Sequence, residues 1–140
     1  MGRWHVGRRK LSKSGEGMRT IKFRGYVPTY LGMKGYWVYG LLARYNDELA
    51  TIVSNDKLYT VPSNTIGQFT GLLDKNGVEI YEGDKLLMKD EIGNSGVVTV
   101  GFEHGGFIVF RGLAWRQIGD YDVEKNTIEV IGNIHEEVEE

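Results

Sequence analysis

From residue 21 onward the chain is a series of short runs in which apolar and polar positions alternate, each closed by glycine, asparagine, aspartate or proline. Alternation with a period of two is the mark of a strand that buries one face. Ile21 and Phe23 alternate with Lys22 and Arg24, which predicts an edge-like first strand with its basic residues turned outward. Residues 27–35 contain Pro28, Gly32 and Gly35 and read as a loop. The aromatic and β-branched run 36–45 predicts a strand, Asn46-Asp47 reverses it into 49–53, and Asn55-Asp56 reverses that into 58–61. This half of the chain reads as a β-meander.

The centre of the pattern is residues 70–84, TGLLDKNGVEIYEGD. Asn76-Gly77 tolerates positive φ at both central positions of a type I′ turn, the turn whose twist suits a hairpin. Asp74 is placed to bond its own downstream backbone. Beyond the turn, Val78 and Ile80 point to one side and Glu79 and Tyr81 to the other, so one face is expected to be apolar and one polar. Glu82-Gly83-Asp84 is expected to form a second turn, and Leu86 and Met88 then resume the buried alternation with Lys85 and Lys89 outward.

Residues 97–102 alternate again, with Val98, Val100 and Phe102 on one side. His104-Gly105-Gly106 predicts another tight turn, and 107–110 returns. Short strands separated by turns every ten residues or so predict an all-β protein. The order from 82 to 110 (turn, strand, loop, long strand, tight turn, strand) looks like an SH3-like barrel. The expected fold is therefore an N-terminal meander over 18–67 packed with a small SH3-like barrel over 68–140. Residues 113–122 show no clear period and read as loop. Ile128, Val130 and Ile134 are expected to close the core, opposite Glu129 and Ile131.

TGLLDKNGVEIYEGD, preceded by IKFRG at 21–25 and followed by EVIGNIHE at 129–136, resembles the YopX family of small phage and prophage proteins. The resembling blocks keep their order and span residues 18–140. Family members often continue the opening block with a tryptophan-aspartate pair, where this chain has Gly25-Tyr26. The resemblance implies a β-rich, oligomeric protein and supplies no catalytic residues to carry over.

Composition narrows the picture. Twenty glycines and eight tyrosines against two prolines suit many strands joined by turns. At 140 residues the chain can bury a core without staples, and the absence of cysteine removes disulfides, thiolate metal sites and a thiol nucleophile together. No apolar run approaches a membrane span and no secretory h-region opens the chain, so a cytoplasmic protein is expected, with no membrane partner. Residues 1–17 carry five basic residues and one acid, a net of +4, whereas 18–140 carry 12 bases and 18 acids, a net of −6. The basic extension has no periodicity and is expected to be disordered. Gly15-Glu16-Gly17 can be encoded by a purine-rich ribosome-binding sequence, and Met18 is the expected natural start.

Candidate chemistry is sparse. Asp74-x-Asn76-Gly77 begins like a calcium loop, but the glycine comes too early and the twelfth position is Lys85 where a glutamate belongs. Asp74, Glu79, Glu82 and Asp84 offer carboxylates that turn and strand geometry already explains. His5, His104 and His135 are isolated, and neither a nucleophile elbow nor a phosphate-binding glycine loop occurs. No cofactor or metal is expected, and the protein is expected to act by binding; a hydrolase or metalloenzyme is the third alternative, and it requires Glu82, Asp84 and a histidine to converge in a cleft. Two kinds of surface are expected. Outward Tyr81, Leu87, Val97 and Ile131 would form an apolar surface for self-association or for a host protein. Lys22, Arg24, Lys85, Lys89, Arg111 and Arg116, with the aromatic Trp115, would form a nucleic-acid face, which the acidity of 18–140 disfavours.

Overall fold

The computed structural model describes residues 19–89, 92–119 and 127–136. The basic extension, the proposed start at Met18 and the end of the acidic tail lie outside them. The described chain is all-β: β1 (Phe23–Val27), β2 (Tyr36–Tyr45), β3 (Leu49–Ser54), β4 (Lys57–Pro62), β5 (Gly67–Leu73), β6 (Glu79–Tyr81), β7 (Asp84–Lys89), β8 (Ser95–Glu103), β9 (Gly106–Arg111), β10 (Ala114–Gln117) and β11 (Ile128–Asn133). A 3-10 turn, Ser63–Thr65, links β4 to β5. Two antiparallel sheets result, in the orders β4-β3-β2-β1-β5-β6 and β10-β9-β8-β7-β11.

The meander forms, but the hairpin at Asn76-Gly77 joins it: Phe23 of β1 pairs with Gln68 of β5, and Phe69 pairs with Tyr81 of β6. β1 is therefore an interior strand, flanked by β2 and β5, and not an edge. β5 is thus paired on both sides, by β1 and by β6, and both strands belong to the first sheet instead of the second. The second sheet stays open, ending at β10 on one side and β11 on the other, so no SH3-like barrel closes. The first sheet curls without closing. Val61 of β4 lies against Gly25 of β1 so closely that a Cβ on Gly25 would sit 2.7 Å from the valine methyl.

Type I′ geometry occurs at other turns. Asn55 and Asp56 (φ 52° and 68°) and His104 and Gly105 (φ 57° and 83°) take positive φ in pairs, between the pairs Ser54↔Lys57 and Glu103↔Gly106. At Asn76-Gly77 only the glycine does, at φ 82°. The reason is Asp74. Its Oδ1 accepts the N–H groups of Asn76 at 2.8 Å and Val78 at 2.9 Å, while the Gly77 N–H reaches the Asp74 carbonyl at 3.0 Å. That winds the turn as type I with glycine in the left-handed position.

Two apolar clusters hold the layers. Ile80, Leu86, Val100, Val109 and Ile128 fill the contact between β5–β6 and the second sheet, with Leu72, Met88, Val98, Ile118 and Val130 around them. Val38, Ala50, Ile52 and Val61 fill the concave side of the curled meander. Ile80 and Tyr81 are both buried, so β6 does not divide into one apolar and one polar face. Residues 114–117, expected as loop, form β10 at the sheet edge. All four are exposed, which is why no alternation marks them.

Candidate functional site

Alternation within the first sheet sends Phe23, Gly25 and Val38 toward the core. It sends Lys22, Arg24, Trp37, Tyr39, Phe69 and Tyr81 to the opposite face. β11, the edge strand of the second sheet, runs alongside that face. Between them lies an open cleft of about 650 Å³. The two walls are tied at both ends. Lys75 N–H donates to the Ile128 carbonyl at 3.1 Å, and Asp74 Oδ2 accepts the Val130 N–H at 2.8 Å; at the far end Ile134 N–H donates to the Gly83 carbonyl at 2.9 Å.

Arg24 forms the floor. It is 5% exposed, its Nη2 donates to Asp84 Oδ1 at 2.8 Å and to the Glu82 carbonyl at 3.2 Å, and its guanidinium carbon lies 4.5 Å from the Trp37 ring centre and 5.0 Å from that of Tyr81. The Nε of Arg24 is buried without an acceptor. Asp84 also accepts the Tyr81 N–H at 2.8 Å through Oδ2. Burial pushes the Asp84 carboxyl above its ordinary range. Arg24 and the Tyr81 N–H oppose that push, and the Glu136 carboxylate adds to it.

At the rim Lys22 Nζ meets Glu79 Oε2 at 2.7 Å and lies over the Phe69 ring at 5.6 Å, while the Tyr81 hydroxyl donates to Glu79 Oε1 at 2.8 Å. Burial opposes ionisation of Glu79, but Lys22 and the Tyr81 hydroxyl outweigh it and hold its carboxyl low. Burial and Glu79 together push the Tyr81 phenol far above its usual range. Tyr39 stacks obliquely on Tyr81, ring centres 5.6 Å apart, and stays 44% exposed. Trp37 is enclosed by Tyr26, 5.1 Å away and edge-on, and by His135 at 5.7 Å.

The residues expected on surfaces distribute unevenly. Tyr81 is buried in the cleft floor, and Ile131, half exposed, lines the cleft beside a register shift between Val130 and Gly132. Leu87 and Val97 face each other across β7 and β8 on the outer face of the second sheet. The same face carries Phe110 opposite Trp115, with Lys85 opposite Thr99, and Lys89. Trp115 stacks flat on His104, ring centres 4.0 Å apart and planes at 9°. Arg111 and Arg116 belong to the opposite face. Arg116 pairs with buried Val109, and the Arg111 guanidinium packs against the α-carbon of Gly96. Arg24 is sequestered and Lys22 is ion-paired, so the basic residues expected to form one nucleic-acid face are divided among three places.

Sequence reading missed Trp37, Tyr39, Asn133 and Glu136 as cleft residues. The available signal was parity: once β1 is interior, every residue in phase with Arg24 on its neighbours must share its face. Among the described residues, no group of three or more histidine, aspartate and glutamate side chains converges to hold a metal ion. No helix among them is long and apolar enough to cross a membrane.

These features define an all-β protein of two open antiparallel sheets, with an aromatic cleft built around a buried arginine–aspartate pair. The chain belongs to the YopX protein family, whose model matches residues 22–139. It is also similar to the crystal structure of protein EF1440 from Enterococcus faecalis, at 24% identity and a TM-score of 0.49, over 88% of this chain and 100% of that one. No curated protein matches it.

Proposed function

We propose that this is a non-catalytic accessory protein of phage or prophage origin, acting in the bacterial cytoplasm as a self-associating protein-interaction module that can also engage a host protein. The observation that carries the reading is the outer face of the second sheet. Leu87, Val97, Phe110 and Trp115 run across four consecutive strands, and Val97, Phe110 and Trp115 are 42%, 36% and 48% exposed. The stripe ends at β10, the last strand on that side of the sheet, and sheet edges are where a second copy can add by strand pairing. Apolar surface continuous with an open edge is the usual basis of association between copies.

A nucleic-acid reading draws support from Lys85, Lys89 and the Trp115–His104 stack, a platform on which a base could lie. It loses Lys22, Arg24, Arg111 and Arg116, and the net charge of residues 18–140 opposes it. Light scattering decides between the two. The wild type at about 50 µM is expected to run as a dimer or larger, and Val97→Glu combined with Trp115→Ala is expected to run as a monomer with an unchanged amide spectrum. A monomeric wild type that shifts single-stranded DNA at low salt would replace the first reading with the second.

A further inference from the structure

The cleft already holds one organic cation. The Arg24 guanidinium is sandwiched between Trp37 and Tyr81 and neutralised by Asp84. The other cation of the lining, Lys22, is matched by Glu79. The fifth charged side chain of the lining, after these two pairs, is Glu136, so acids outnumber bases there by one. Glu136 Oε2 accepts from the Asn133 amide at 3.3 Å, a weak neutral contact, and its charge adds a little to what disfavours ionisation of Asp84. Tyr39, with 44% of its surface exposed, presents a ring that no cation among the described residues covers. Aromatic faces beside an acid with no matching cation are the elements that recognise ammonium and guanidinium groups.

We propose that the cleft is a binding site for a second organic cation, an alkylammonium or guanidinium group, seated on the Tyr39 ring and facing the Glu136 carboxylate. The volume, about 650 Å³, lies within the range of small-molecule sites and also admits a lysine or arginine side chain with part of its backbone. Ile131 on the opposite wall supplies apolar contact for the alkyl stem. The cleft is separate from the outer face of the second sheet, so the site stands whether or not the protein self-associates.

The test is a titration of the full chain, followed by the Trp37 indole and Tyr39 amide resonances, with two probes: spermidine, and the blocked tripeptide acetyl-Gly-Lys-Gly-amide. Saturable shifts with either probe are expected, weakened about tenfold in Glu136→Gln and in Tyr39→Ala and reduced by added salt. Saturation by spermidine alone assigns the cation to a free amine, and saturation by the tripeptide alone assigns it to a protein side chain. The tripeptide with its lysine acetylated is expected to leave both resonances in place. Equal binding of the acetylated tripeptide, unchanged affinity in both variants whose amide spectra match wild type, or no saturation by either probe to about 20 mM would overturn the site.

Discussion

Arg24→Met is expected to destabilise the fold by about 3–5 kcal/mol at neutral pH, because it leaves the Asp84 carboxylate buried without its cation. Asp84 is 1% exposed, so water cannot take over the role of the guanidinium. The loss of stacking on Trp37 and Tyr81 adds to the cost. The pH dependence identifies the origin. The Asp84 carboxyl already sits above its ordinary value because of burial, and removing Arg24 raises it further. A carboxyl raised in the folded state favours folding while protonated, and that contribution disappears as pH rises through the folded value. The gap between variant and wild type should therefore be widest near pH 7 and narrow as the pH is lowered toward 5. Urea unfolding at the two pH values measures it, and a gap of constant size would show that the Asp84 charge is not its source. Adding Asp84→Asn to Arg24→Met keeps an acceptor for the Tyr81 N–H and is expected to recover most of the loss.

The second large effect is expected at Asp74, where Asp74→Ala should cost about 3 kcal/mol. One carboxylate accepts three backbone N–H groups, from Asn76, Val78 and Val130, and thereby shapes the β5–β6 turn and fastens β11 to it. Hydrogen bonds to a charged acceptor are the strong ones, and the substitution takes away the acceptor that the Val130 N–H uses. Burial opposes ionisation of Asp74, but these three donors and Lys75 outweigh it and hold the carboxyl below its ordinary value of 3.8. With a lowered value the stabilisation is present above the unfolded value and is lost as pH falls through the folded one. The difference between wild type and Asp74→Ala should thus be full at pH 7 and fade below about pH 4, this time because the wild type weakens. Hydrogen exchange at the Val130 amide gives a local check: protection equal to wild type in Asp74→Ala would mean that the tether is not what holds β11.

How much of this was written in the sequence depends on the reach of each interaction. The strands of the meander and the turns at Asn55-Asp56 and His104-Gly105 follow from local alternation and from residues that tolerate positive φ, so they are legible. The pairing of β1 with β5 is not, because it joins residues some forty positions apart and no local pattern distinguishes an interior strand from an edge. From that one misplacement come the others. With β1 at an edge, Arg24 belongs to solvent and Asp84 is only a turn residue. With β1 interior, the two are brought together across the cleft. Alternation with buried Ile80 predicts an outward Tyr81, a rule that fails where a sheet is covered on both faces. The Asp74 turn was legible as a turn, but its type was decided by a carboxylate that also answers to Val130, a residue distant in sequence.

β6 is only three residues long, yet Ile80 is sealed into the cluster shared with the second sheet while its neighbour Tyr81 anchors the floor of the cleft. A wall common to two compartments cannot fall on one side alone. Heating should therefore dissolve both layers in a single cooperative step, with signals from Trp37 and from the β7–β9 amides vanishing at one temperature.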